Sequence, residues 1–388
     1  MPRSALVPLM ILPMLFVGCN CNNNGNGQDF TFPGGGPPPS SIPPENFGSW
    51  LSFDTAPDGV RLTMAYHDLV LGGLGYATGV PNEDGTVSWA HERVDGYPDQ
   101  TGLNLTEAGK YASQHTASDG TVWVAYQDST LGSLKAAHRL GPGSWELFDV
   151  DPGGGAAGTW ASLQLTEDNL PVIAHCDASS AEIRLSRFDG TSWSTSTLFT
   201  GSDEEYVDAD GVPQTRPAGV AYTRLFLDGQ KEYVAFRDEA RRSLGFLEGS
   251  GGSFTHSVID ASGDVGAWPS IGKDGEDLVV AYHDVANQDL RLATLQGGEW
   301  STQVVDDRDM RGADSEIFSL DGELAILYFD GYNSDILMAH REGSGWVSSV
   351  VGGEGKAVGF HNEITFASGK WWAGSYDFTN GTLFVQAL

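Results

Sequence analysis

The sequence predicts an all-β fold: a seven-bladed β-propeller of four-stranded antiparallel blades over residues 47–388. Three observations carry that expectation. A short strand ending in Asp recurs seven times, an aromatic residue follows the first six of those Asp at a nearly fixed distance, and Gly-containing turns separate the strands.

Taken from the N-terminus, Met1 to Gly18 read as an export signal. Arg3 supplies the positive start, and Ala5 to Val17 form an apolar stretch of 13 residues interrupted by Pro8 and Pro13. That stretch is too short to remain as a spanning helix. It ends in Leu15-Phe16-Val17-Gly18-Cys19, which resembles a bacterial lipobox with Phe16 where Leu is usual. The resemblance implies cleavage before Cys19 and lipidation of its thiol. Asn20, rather than Asp, at the next position implies the outer membrane, facing either the periplasm or the cell surface. Residues 19–46 then read as a flexible tether rich in Asn, Gly and Pro, broken only by the strand-like Phe30-Thr31-Phe32.

The repeats begin beyond the tether. Their strands end in Asp68, Asp128, Asp177, Asp238, Asp284, Asp330 and Asp377, spaced 60, 49, 61, 46, 46 and 47 residues apart. Trp89, Trp145, Trp193, Phe254, Trp300 and Trp346 follow the first six at 21, 17, 16, 16, 16 and 16 residues. Asp-Gly turns precede five of the Asp-ended strands, at 58–59, 119–120, 228–229, 274–275 and 321–322. Asp-Gly between short β-rich runs marks a hairpin, because the turn needs positive φ. In the fifth repeat the four strands read as Trp268–Gly272, Asp277–His283, Asp289–Thr294 and Trp300–Val305. The seventh repeat stops at Leu388 after its third strand, Thr382–Ala387. A strand near residues 29–32 is therefore expected to complete the last blade, with Phe32 in the place of the missing Trp, and so to cover an open edge.

Composition narrows the function. The 388 residues hold 52 Asp and Glu against 21 Lys and Arg, a net charge of −31, with 40% hydrophobic and 11% aromatic residues. Such a chain can build a core. Its charge repels nucleic-acid phosphates and anionic lipid headgroups. Three Cys are too few for a disulfide scaffold; Cys176 reads as a buried thiol within a strand.

The repeats resemble the BNR/sialidase-like propellers, whose blades carry an Asp box, Ser-x-Asp-x-Gly-x-x-Trp, between the third and fourth strands. Ser186-Arg187-Phe188-Asp189-Gly190-Thr191-Ser192-Trp193 comes closest, and Gly343-Ser344-Gly345-Trp346 keeps only the Gly and Trp. The resemblance spans all seven repeats and implies a fold rather than an activity. Sialidase chemistry needs an arginine cluster at the start of the first strand. Aligned on the turns, Trp50, Tyr111, Trp160, Tyr222, Trp268, Asp314 and His361 stand at that position, and none is Arg. Arg224 and Arg237 fall on one blade and make no triad. An enzyme is therefore not expected; the alternative is a divergent glycoside hydrolase or lyase working through Asp314, Glu316 and His361.

Those seven positions should surround the axial opening on one face. Five aromatic faces suit a ligand-binding mouth for sugar C–H surfaces or cations, with Asp314 and His361 adding polar groups. The competing reading is that the rings wedge between blades and plug the channel. The repeated Asp residues read as structural, accepting N–H groups of the following turn. The acidic insert at 203–211 resembles a calcium loop, but Tyr206 sits where a first ligand would be, so the charge run reads as a solvated loop; His67, His283 and His361 lie on separate blades without metal spacing. No cofactor is expected beyond that weak calcium pattern. The sequence thus points to a monomer, lipid-anchored and non-catalytic, whose partner is a glycan or an envelope protein; a scaffold in an outer-membrane complex is the further alternative.

Overall fold

A computed structural model describes residues 47–98, 106–153, 155–207, 213–217, 219–343, 345–353 and 355–388. Every regular element among them is a strand. Six sheets of four antiparallel strands and one of three make the seven blades of a propeller. The innermost strands are Ser49–Thr55, Ala108–Thr116, Ala157–Leu165, Val220–Asp228, Val265–Asp274, Arg311–Leu320 and Phe360–Ala367, in blades 1 to 7. Each packs against the innermost strand of the next blade, and the seventh packs against the first, which closes the ring. Blade 7 has three strands, Phe360–Ala367, Lys370–Asp377 and Thr382–Ala387. The strand expected near 29–32 lies outside the described residues, as do the signal and the tether.

The core is divided. Seven separate apolar clusters occupy the seven interfaces between neighbouring blades. Every blade is sandwiched between two others, so its second strand is covered on both faces; in blades 1, 2 and 3 that strand is buried along its whole length. A chain that must bury both faces of a short strand reads as a continuous apolar run rather than an alternation. Fourth strands, at the rim, are mostly exposed in blades 3, 4 and 5. The aromatic that opens each of the first six pins it inward: Trp89, Trp145, Trp193, Phe254, Trp300 and Trp346 each join a different interface cluster.

Two elements differ from the sequence reading. The acidic insert includes a two-stranded hairpin, Asp203–Val207 paired with Pro213–Pro217, between blades 3 and 4. The fifth innermost strand runs Val265–Asp274, three residues earlier than expected, because Val265 and Ala267 pair with Asp284 and His283 ahead of a bulge. Sequence patterning placed the strand start at the bulge.

The repeated Asp residues close the turn after the second strand. Asp68 Oδ1 accepts the N–H groups of Val70 and Leu71, both at 3.0 Å, and Asp330 Oδ1 those of Tyr332 and Asn333 at 2.9 and 3.0 Å. Asp128, Asp177, Asp238, Asp284 and Asp377 accept at least one such N–H each. The residue before the Asp often staples its blade to the next. His67 and His283 donate from Nδ1 to the carbonyls of Ala108 and Arg311 at 2.8 and 2.7 Å, and Gln127 and Arg237 reach the carbonyls of Ala157 and Val265.

Candidate functional site: the axial cavity

A bulge near the start of each innermost strand builds the site. In all seven blades the ladder to the second strand skips at the same place. The residue at the skip has left-handed φ: Trp50 48°, Tyr111 52°, Trp160 52°, Tyr222 57°, Trp268 46°, Asp314 53° and His361 55°. Bulky residues seldom adopt this conformation, and a bulge re-aims a side chain off the sheet. Here all seven line one cavity of about 100 Å³. A close approach of backbone sets up the bulge. Gly266 has φ +91°, and a Cβ there would stand 2.7 Å from Leu244 Cα on the preceding blade; at Gly312, φ +96°, it would stand 2.6 Å from Leu290 Cα. Only glycine lets the strands meet this closely.

The aromatic residues form an arc. Ring centroids are 4.6 Å apart for His361 and Trp50, 4.1 Å for Trp50 and Tyr111, 5.0 Å for Tyr111 and Trp160, 4.2 Å for Trp160 and Tyr222, and 4.8 Å for Tyr222 and Trp268. All are tilted pairs, and all six residues are half-buried. The rings therefore both pack on one another and wall an open space. Asp314 joins blades 6 and 7: its Oδ2 accepts the N–H groups of His361 and Asn362. Burial pushes its carboxyl up to about 6 against those two bonds and the Arg224 charge. Burial also holds the His361 imidazole down to about 4, so it is neutral at pH 7. Tyr111 is pushed up to about 12 by burial.

One layer deeper lies a column of which the sequence reading named only Arg224 and Glu316. Two residues beyond each bulge stand Ser52, Ser113, Ser162, Arg224, Ser270, Glu316 and Glu363. Each serine hydroxyl accepts a backbone N–H from the next blade, of Gln114, Leu163, Leu225 and Ile317, at 2.9–3.0 Å. Arg224, Glu316 and Glu363 replace that joint with charge, and all three line the cavity. Arg224 pairs with Glu316, to which Ser270 Oγ also donates at 3.3 Å. Glu363 has no hydrogen bond among the described residues; its residual exposure is to the cavity it lines. Burial pushes its carboxyl up to about 7, with Arg224 opposing and Asp314 and Asp54 adding to the shift. The repeat alignment held the signal: a column of Ser broken by three charged residues.

The other singled-out residues lie elsewhere. Arg237 is buried at the interface of blades 4 and 5, bonded to Val265 and Asp264. Cys176 is a buried free thiol raised to about 12 by burial. No group of three or more His, Cys, Asp or Glu among the described residues is arranged to hold a metal ion; the side chains of the calcium-like insert are outside them.

The fold and this cavity define a seven-bladed propeller with a small axial cavity. Its structural neighbours span binding proteins and enzymes. It matches a polysaccharide lyase, Uly1, at 9% identity and TM-score 0.53, over 84% of this chain and 88% of that one. A fucose-specific lectin from Aleuria aurantia matches at 15% identity and TM-score 0.48, over 79% and 97%. A GH43_1 enzyme from Xanthomonas citri matches at 11% and TM-score 0.32, over 59% and 86%. At such identities the likeness concerns the fold alone. No family model matches the sequence, and no curated protein is detectably similar to it.

Proposed function

We propose that the protein is a non-catalytic binding module of the bacterial envelope, held at the outer membrane through Cys19, that takes a glycan at its axial mouth. The observation that carries this reading is convergence. Seven blades each aim one residue at a single cavity, and five of those residues are aromatic. Apolar faces for contact with a few polar groups for orientation are what a small-ligand site contains. Nothing in the arrangement supports sialidase chemistry, since Arg224 is the one arginine lining the cavity among the described residues and it is paired with Glu316.

A second reading, a divergent glycoside hydrolase or lyase, draws support from Glu363. A carboxyl raised to about 7 has the proton affinity of a general acid or base near neutral pH. The trio first suggested by the sequence fits that role poorly. Asp314 is bonded to two backbone amides, Glu316 is paired, and His361 is neutral against Trp50. A polysaccharide array read for both retention and product release decides: retention without turnover supports the module, and turnover lost in Glu363→Gln selects the enzyme.

A further inference from the structure

The cavity lining is unbalanced. Three carboxyl groups, of Asp314, Glu316 and Glu363, face it against one guanidinium, that of Arg224. Two of the carboxyls are engaged, Asp314 by backbone amides and Glu316 by Arg224, which leaves Glu363 without a hydrogen bond or ion pair among the described residues and with Arg224 only as a nearby charge. A second orphan sits beside it. Asn362 is 1% exposed and lines the cavity; its Nδ2 donates to the Asp314 carbonyl at 3.2 Å, which fixes the amide orientation, and its Oδ1 has no donor among the described residues. A buried acceptor without a donor carries a desolvation cost that a ligand donor removes. The Trp50, Tyr111, Trp160, Tyr222 and Trp268 rings line the same cavity, and aromatic faces attract cations.

We propose that the cavity holds the protonated primary amine of an amino sugar, with Glu363 as its ion partner, Asn362 Oδ1 as an acceptor and the aromatic arc as its wall. The inference rests on the axial cavity being the glycan site and names the group bound there. Size supports it. A cavity of about 150 Å³ holds benzene, so about 100 Å³ suits roughly four non-hydrogen atoms, an ammonium and the ring carbons next to it. A whole sugar ring does not fit inside; its amine-bearing edge does. On an amino sugar the ammonium adjoins ring C–H groups, so the ammonium can meet Glu363 while the carbons beside it lie against the aromatic walls; a lysine stem offers methylenes to the same rings, and the ligand series below separates the two.

Quenching of tryptophan fluorescence at pH 7 tests the proposal, with methylammonium, glucosamine, N-acetylglucosamine, glucose and Nα-acetyl-lysine amide as ligands. Methylammonium and glucosamine should quench saturably, while N-acetylglucosamine and glucose should bind at least tenfold more weakly. Glu363→Gln should weaken glucosamine at least tenfold without loss of the folded state, checked by its thermal transition. Equal binding of glucose and glucosamine overturns the ammonium assignment while leaving a glycan site in place. Binding of the lysine amide in preference to glucosamine overturns the amino sugar. Absence of any saturable response, together with a blank glycan array, overturns both the assignment and the axial site.

Discussion

Replacing Glu363 by Gln tests the electrostatics of the channel directly. The carboxyl goes from an ordinary 4.5 to about 7 on folding, because burial disfavours its charge more than Arg224 favours it. Each tenfold change in proton affinity is worth about 1.4 kcal/mol, so ionising this group in the folded protein costs about 3 kcal/mol. The sign follows from the raised value. Between about 4.5 and 7 the folded state holds a proton that the unfolded state has released, so stability from this group is fully present below 4.5 and is lost as pH rises through 7. Gln keeps the shape without the charge. With an unfolding entropy of about 2.1 cal/mol/K per residue over roughly 340 residues, 3 kcal/mol is worth about 4 °C in Tm. Thermal unfolding followed by circular dichroism from pH 4.5 to 8.5 should show the two proteins nearly equal at pH 4.5. At pH 8 the variant should melt about 4 °C higher. Asp314, Asp54 and His361 are shifted by burial in both proteins, so the difference curve reports Glu363 together with its coupling to Asp314 and Asp54. Parallel profiles would refute the reasoning.

Trp160→Ala and Trp268→Ala should each weaken glycan binding by about 1–3 kcal/mol, as truncated aromatic anchors do. Because the rings are only half-buried, their stability loss should stay below the roughly 3–5 kcal/mol of a core tryptophan; a loss of that size in both, by thermal unfolding, would make them core. Gly312→Ala should destabilise by about 1–3 kcal/mol, since its φ is +96° and the new Cβ meets Leu290 Cα at 2.6 Å. Gly275→Ala, in an open turn with φ +62°, keeps the strain without the clash and should cost less. Cys19→Ser should abolish detergent-phase partitioning if lipid on that thiol supplies the membrane affinity; unchanged partitioning would remove the anchor.

The blades were legible because their signals are local. Asp-Gly turns, strand-ending Asp and the fourth-strand aromatic all act within one repeat, so periodicity exposes them. The bulge residues could be aligned for the same reason, and they do meet at one cavity. What was hidden depends on partners in other blades. Arg224 belongs to blade 4 and Glu316 to blade 6, and their pairing is decided by ring closure rather than by spacing. Glu363 looks like any strand glutamate until its neighbours are known to be occupied elsewhere. The strand start at Val265 was missed because Gly266 resembles turn chemistry, whereas here it permits backbone contact with Leu244. The export signal, the tether and the closing strand concern residues outside those described.

The division of the core into seven clusters has a mechanical consequence. In an open stack of repeats, stability is a sum of nearest-neighbour contacts, and the two terminal units fray because each has only one neighbour. Closure gives this chain as many contacts as blades, the additional one being the seam where Leu51 and Phe53 of blade 1 meet Ala367 and Trp372 of blade 7. No blade is terminal, so no capping unit is needed. A breach at one seam also leaves its two sides joined through the remaining blades, which keeps them near each other and makes resealing an intramolecular event. A ligand seated on the axis would touch many blades at once, and would thus act as a hub that resists separation at every seam.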